Sequence, residues 1–178
     1  GTAVNDDQGK PKMWIGSKTE IHEQVELSEI LEKNLKESNR RMQTILQHAP
    51  DAVISIDENG VISSWNNESE TVFGWTESEA IGRTLTETII PERYRKRHNE
   101  GMKHFLRTGN GPVINKPIEL SALNKNGREF PIELKISTSK INDSHIFIGF
   151  IRDISIRKKA EETLLNKTNQ LMEAQQLA

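Results

Sequence analysis

The sequence predicts an α+β fold: an antiparallel sheet that carries short helices and is flanked by two long helices. A turn sequence, Asn59-Gly60, separates two runs rich in β-branched residues, which is the strongest short signal of a β-hairpin. The run GREFPIELKIST alternates apolar and polar residues, as a strand with one buried face does. Near both ends of the chain, apolar residues recur in steps of three and four, which indicates amphipathic helices.

The front of the sheet comes from the first hairpin. The strands DAVISI, at Asp51–Ile56, and VISSW, at Val61–Trp65, are predicted to meet at a two-residue turn. A short helix then ends near Gly74. Thr76 begins another short helix, and Glu79 occupies the third helical position of a capping box.

A longer helix follows, because Pro91 suits its first turn and glycines follow its end. We predict that it runs from about Glu92 to Arg107. Three more strands are predicted to complete a meander, at Val113–Leu123, Glu129–Lys140 and His145–Arg152.

The two flanking helices carry heptad seams. The first, over residues 21–48, ends before Pro50 because proline stops a helix. Its seam consists of Ser28, Leu31, Leu35, Ser38, Met42, Ile45 and Ala49. The second, over residues 157–178, has a seam of Ala160, Leu164, Lys167, Leu171, Ala174 and Ala178. These seams favour a coiled-coil homodimer; the alternatives are a first helix packed on its own domain and a solvated tail.

Composition narrows the classes of function. Of 178 residues, 34% are hydrophobic and 28% charged, so part of the chain should be solvated helix. The net charge of -2 gives no reason to expect binding to nucleic acid or to an anionic membrane. No apolar run approaches the roughly 20 residues of a membrane span. The absence of cysteine excludes disulfides and thiolate metal sites, and a cytoplasmic location is expected.

Four motifs within Ile45–Ser155 resemble those of PAS domains: AP-DAVISIDENGVI-WN, FGWTESEAIGR, NG-EFPIEL and GFIRDIS. The resemblance implies a five-stranded antiparallel sheet with short helices over one face. It also implies a sensory or regulatory module of a bacterial signalling protein rather than an enzyme. Without cysteine, the cysteinyl adducts of flavin-binding and yellow-protein relatives are excluded.

One residue of the long helix is a candidate for chemistry. In PERYRKRHNEGMKHFLRTG, the helical period places Tyr94, His98, Met102 and Phe105 on one face. A histidine in such a stripe ligates a metal through one ring nitrogen, or is a core histidine bonded to the backbone. No carboxylate pair suits acid–base catalysis, since Glu119 and Glu133 are expected on strands facing solvent.

This helix also resembles the haem-binding helix of FixL-type oxygen-sensing PAS domains, in the spacing from Pro91 to His98 and in the pair Arg97-His98. The resemblance implies haem b with His98 as its iron ligand. The family's propionate-contacting arginine falls on His104, and its distal arginine falls on Ile118. The distal side would be apolar and would favour carbon monoxide, nitric oxide or redox sensing. Its expected residues are Ile118, Leu120, Ile148 and Phe150. The alternative is a PAS domain without a cofactor.

The first 20 residues resemble the end of the main domain. Aligning Gly16 with Gly149 places Ile15 on Ile148 without a gap, which indicates an internal repeat. We therefore expect residues 1–20 to be the last strand of a preceding PAS domain; a chance likeness is the alternative. The expected order continues with a helical linker, a PAS domain over residues 49–156 and a signalling helix. A histidine kinase or another effector domain is expected in the same chain.

Overall fold

The described residues divide into two units, residues 1–45 and 46–178. The computed structural model describes the backbone of residues 3–5 and 11–176 and the side chains of residues 21–175.

In the first unit, two short strands pair with each other and precede a long helix. Strand β1, Ala3–Asn5, pairs antiparallel with β2, Pro11–Trp14. Helix α1 begins directly after β2 and spans Ile15–Gln47, so it begins six residues earlier than predicted and passes into the second unit. The residues that the repeat hypothesis aligns with a strand at Ile148 and Gly149 are therefore helical here.

The second unit is built on a five-stranded antiparallel sheet, which confirms the predicted fold. Its strands run β4-β3-β7-β6-β5 across the sheet. Their bounds are Ala52–Ile56 for β3, Ile62–Trp65 for β4, Pro117–Leu123 for β5, Glu129–Ile141 for β6 and Ser144–Asp153 for β7.

The predicted first hairpin is present, but the loop between its strands is longer than two residues: β3 ends at Ile56 and β4 begins at Ile62. The Gly60 N–H donates to the Asp57 carbonyl at 3.0 Å, so Glu58 and Asn59 are the central turn residues. Gly60 follows with φ +80°, which only glycine adopts without strain. The Asp57 carboxylate also accepts hydrogen bonds from the Asn59 and Val61 N–H groups, at 2.9 Å each. This side-chain bracing favours the longer loop over a tight turn.

Four helices lie between the hairpin and β5: α2 at Asn67–Phe73, α3 at Glu77–Ala80, α4 at Leu85–Thr88 and α5 at Glu92–Thr108. The predicted capping box of Thr76 and Glu79 is present at the start of α3. Helix α5 ends where predicted, at Gly109 in the left-handed conformation with φ +71°. Strand β5 begins later than predicted, because Asn115 adopts a left-handed turn conformation before it.

One face of the sheet forms the core with the helices. Aromatic rings run through it: Phe73 lies 5.6 Å from Trp65 and 5.8 Å from Phe130, between ring centroids. Tilted aromatic pairs at this spacing add to the stabilisation from burial. We call this the inner face, and the opposite face of the sheet the outer face.

Helix α6, Ser155–Gln176, is separated from the end of β7 by Ile154 alone. From Glu161 to Gln175 its side chains are exposed. None of the helices in the described part of the chain is both long and apolar enough to cross a membrane.

Candidate functional site

Helix α5 packs on the inner face through one stripe of side chains. Phe105 is buried, and its ring lies edge-on to Phe147 of β7 with centroids 5.3 Å apart. Met102 is partly buried against the same core. One turn earlier on this stripe, His98 is half-buried, so the histidine lies beside the core rather than in solvent.

The surroundings of His98 favour the neutral form of its imidazole. Burial lowers the pKa of His98 below its ordinary value of 6.5, and a weak contact with Asn99 opposes this. Its Nδ1 lies 3.4 Å from the Asn99 Oδ1. A neutral imidazole has one unprotonated ring nitrogen, which is the form that binds a metal.

Two other residues predicted for this site do not join the inner stripe. Tyr94 is 39% exposed, and the guanidinium of Arg93 lies over its ring at 4.5 Å from the centroid. His104 is also exposed. Both side chains are exposed whereas His98 is half-buried, and a role for either of them at this site stays a prediction.

The predicted apolar wall divides between the two faces of the sheet. On β5, Ile118 pairs with Leu134 and Leu120 with Ile132, and both partners belong to the core side. Ile118 and Leu120 therefore lie on the inner face with α5. Leu120 is still 40% exposed, so α5 leaves this part of β5 open.

On β7, the wall residues point the other way. Phe147 and Ile151 are buried in the core, and side chains alternate between faces along a strand. Ile148 and Phe150 consequently lie on the outer face, where Phe150 lines a shallow groove with Lys135 and other residues. The prediction that all four residues line one distal side is wrong in this respect.

Of the residues predicted to line the haem site, His98 is the candidate ligand for the iron. Within the described residues, no three histidine, cysteine or acidic side chains are grouped to hold a metal ion. A haem needs only one such protein ligand, because its porphyrin supplies four nitrogens. His98 is one such ligand, and Ile118 and Leu120 lie on the inner face of the sheet, whereas Ile148 and Phe150 lie on the outer face.

A cluster of charges joins α6 to the outer face. Glu119 of β5 and Glu133 of β6 are directly opposite each other in the sheet. The guanidinium of Arg157 lies between them, 2.6 Å from the Glu119 carboxylate and 3.5 Å from that of Glu133. Lys158 also pairs with Glu119, and Glu161 lies 3.9 Å from Arg157. The hydrogen bond from Lys158 is the main reason that the pKa of Glu119 is lowered. We call these five residues the α6 charge cluster.

Asn66 holds the start of the sheet to the end of α1. This side chain is 3% exposed and makes five hydrogen bonds. Its amide donates to the carbonyls of Leu46 and Asp51, at 3.0 and 3.1 Å. Its carbonyl accepts from Val53 N–H and from the N–H and hydroxyl of Ser69. Sequence reasoning missed this role; its only signal was a lone Trp-Asn step before a helix.

The family follows from comparison with known proteins. The model of the PAS fold matches residues 40–154, most of the central domain. The chain belongs to the PAS family, and its central domain is a sensory module.

Curated relatives are longer than this chain. An uncharacterised protein of Azorhizobium caulinodans is 38% identical over 130 residues, which are 73% of this chain and 17% of the relative. The sensor protein FixL of Bradyrhizobium diazoefficiens is 26% identical over 175 residues, 98% of this chain and 34% of FixL. The cell-division control histidine kinase PdhS of Brucella ovis is 32% identical over 127 residues, 70% of this chain and 12% of PdhS. The chain thus spans about a third or less of these relatives.

Solved structures share the fold. The PAS domain of an HTR-like protein from Haloarcula marismortui aligns with a TM-score of 0.57 and 20% identity, covering 71% of this chain and 99% of that domain. A PAS domain from a two-component sensor histidine kinase aligns with a TM-score of 0.55 and 13% identity, covering 66% and 97%.

Proposed function

We propose that this chain is the sensory PAS module of a signal-transduction protein, and that it relays a signal to a histidine kinase or another effector in the same chain. The proposal rests on where the two flanking helices, α1 and α6, attach to the sheet. The chain enters the sheet at Ala52 and leaves it after Asp153, and Ala52 pairs with Ile151, close to that exit. A change in the sheet therefore acts at the point where the helical segments attach.

The proposed relay runs through dimeric helices. The described seam residues that lie within α1 and α6 are exposed, and several of them are large and apolar. Such a stripe is stabilised when a second copy covers it, as in a coiled coil. We further propose that residues 1–20 are the remnant of a preceding PAS domain, that 21–48 link it to the domain at 49–156, and that 157–178 carry the output in the cytoplasm.

Insertions in α6 of the full-length protein test this proposal. An α-helix has 3.6 residues per turn, so each inserted residue rotates the downstream chain by about 100°. We would insert one to seven alanines after Met172 and measure autophosphorylation or the activity of the effector. A rigid relay predicts that output changes with three or four residues and returns with seven, the heptad period. Output that is indifferent to the length of the insert would contradict the relay.

Haem at His98 is a second candidate, and it concerns the signal rather than the relay. It is supported by the half-buried, neutral imidazole and by the two apolar residues of β5 on the same face. His98 would hold the iron, and Ile118 and Leu120 would exclude water from the opposite side. Bound haem would supply a centre that responds to a diatomic gas or to a change of redox state. The rival is a domain without a cofactor, which serves for dimerisation and relay.

A further inference from the structure

Helix α6 is attached to the sheet mainly by charge. Its junction is fixed by the buried side chain of Ile154 and by the Ile154 N–H, which donates to the Pro131 carbonyl at 3.1 Å. Beyond Ile154, no described side chain of α6 is buried. The ion pairs of Arg157 and Lys158 join the first two turns of α6 to the sheet.

The carboxylates that receive these cations repel each other. Glu119 and Glu133 are directly opposite on neighbouring antiparallel strands, an arrangement that destabilises a sheet when both carry the same charge. Arg157 is close to both and Lys158 pairs with Glu119, so the docked helix offsets this repulsion. If α6 moved away, the pair would lose Arg157 and Lys158, and Arg152, the neighbour of Glu133 on β7, would be the cation left beside it.

Strand β5 connects this cluster with the candidate sensing site. Ile118 and Leu120 lie on the inner face, and Glu119 between them lies on the outer face, because side chains alternate along a strand. A shift of β5 caused by a ligand on the inner face therefore moves the Glu119 carboxylate relative to Glu133.

We propose that the α6 charge cluster is an electrostatic latch, in which Glu119 and Glu133 hold the first two turns of α6 through Arg157 and Lys158. The latch couples the inner face of β5 to the direction of α6, and it makes the docking of α6 sensitive to ionic strength. This inference rests on the proposed function, since it names the residues through which the relay passes.

Hydrogen exchange of the α6 amides in this chain tests the latch. Glu119→Gln and Arg157→Gln should each speed exchange of the amides of residues 158–162 by roughly fivefold, since several exposed ion pairs are lost together. The double variant should show an increase smaller than the sum of the two single increases, because the two variants share the Arg157–Glu119 pair. Addition of 1 M sodium chloride should speed exchange in the unmodified chain and have less effect in Arg157→Gln.

Lys125→Gln is the matched control, because it removes an ion pair of the same domain that does not touch α6. It should leave exchange at residues 158–162 unchanged, and none of the variants should change exchange at Ile54 in the central strand. Unchanged α6 exchange in Glu119→Gln and Arg157→Gln would overturn the latch, as would an equal effect of Lys125→Gln.

The same variants in the full-length protein separate the two proposals. If α6 exchange is unaffected while the alanine insertions still modulate output, the relay stands and the latch is wrong. If Glu119→Gln loosens α6 and alters output in the same direction as Arg157→Gln, the latch is supported. If α6 loosens but neither these variants nor the insertions change output, the relay fails and the cluster is only structural.

Discussion

The guanidinium of Arg152 donates two hydrogen bonds to the carboxylate of Asp51, from Nε at 2.8 Å and from Nη2 at 3.0 Å, across 101 positions of the chain. Asp51 directly precedes β3, and Arg152 is the penultimate residue of β7. This two-point contact joins the place where the chain enters the sheet to the place where it leaves. The geometry is bidentate, which is the strong form of an arginine–carboxylate pair.

We expect Asp51→Asn and Arg152→Gln each to lower the melting temperature by a few degrees, with most of the effect shared between them. The pair raises the pKa of Arg152, mainly through the hydrogen bonds to Asp51, so it favours the charged guanidinium. Thermal unfolding of both single variants and of the double variant gives the coupling free energy between the two side chains. Additive losses would show that the two side chains act independently.

Apart from the short helix α4, the elements of this domain could be predicted from the sequence, because each has local signals. The capping box at Thr76, the glycine after α5 and the alternation in β6 identify helix ends and a half-buried strand without knowledge of the fold. The sheet order and the faces of β7 were not accessible in the same way. The middle of β7 is the apolar run IFIGFI, and in the sequence its two faces look equally hydrophobic. The pairing of β7 with β3 is what shows that Ile148 and Phe150 lie on the outer face.

The contacts that hold the flanking helices to the sheet could not be predicted from the sequence either. Arg157 and Glu119 are 38 positions apart, and each looks like an ordinary solvated charge in the sequence. In the sequence, Asn66 appears only as part of a Trp-Asn step before a short helix. Long-range hydrogen bonds of single polar residues leave no periodic pattern, and the register of the sheet decides which of them meet.

Asn66→Ala should destabilise the domain by about 2–4 kcal/mol, because it leaves several buried backbone groups without partners. Urea denaturation followed by circular dichroism measures this loss. The matched control is Asn67→Ala: Asn67 is exposed, and its hydrogen bonds are made by its backbone N–H and carbonyl, which the substitution retains. A loss at Asn66 no larger than that at Asn67 would contradict the role assigned to its side chain.

The pKa of Glu79 should be about 2, compared with an ordinary value of 4.5. The hydrogen bond from Lys125 is the largest cause, followed by that from the Thr76 N–H. Because the pKa is lowered on folding, this stabilisation is fully present above pH 4.5 and is lost as the pH falls towards 2. In an NMR titration, Lys125→Met should raise the pKa of Glu79 towards 4.5. The lowered pKa of Glu129, which Arg93 causes, should not move in that variant.

The coiled-coil proposal predicts that single charges in the seams weaken a dimer. Leu35 and Leu164 lie in the seams and are 62% and 68% exposed. Leu35→Glu and Leu164→Glu should shift the mass measured by light scattering from dimer towards monomer, since they would bury unpaired carboxylates. Leu27→Glu and Leu165→Glu are matched controls, because both leucines are similarly exposed but lie outside the seams. Equal effects at seam and control positions would point to a different interface.

Hemin titration distinguishes a haem-binding domain from one without a cofactor. If His98 is the iron ligand, the purified chain should develop a Soret band that saturates at one hemin per chain. His98→Ala should abolish the band, because His98 is the only half-buried histidine of α5 among the described residues. His104→Ala, on the exposed side of the same helix, should leave it intact.

Phe150→Ala on the outer face should also have no effect, whereas Leu120→Ala on the inner face should shift the band. A chain that gains no Soret band with hemin rules out haem and leaves the cofactor-free relay, and a band that survives His98→Ala assigns the iron to another residue.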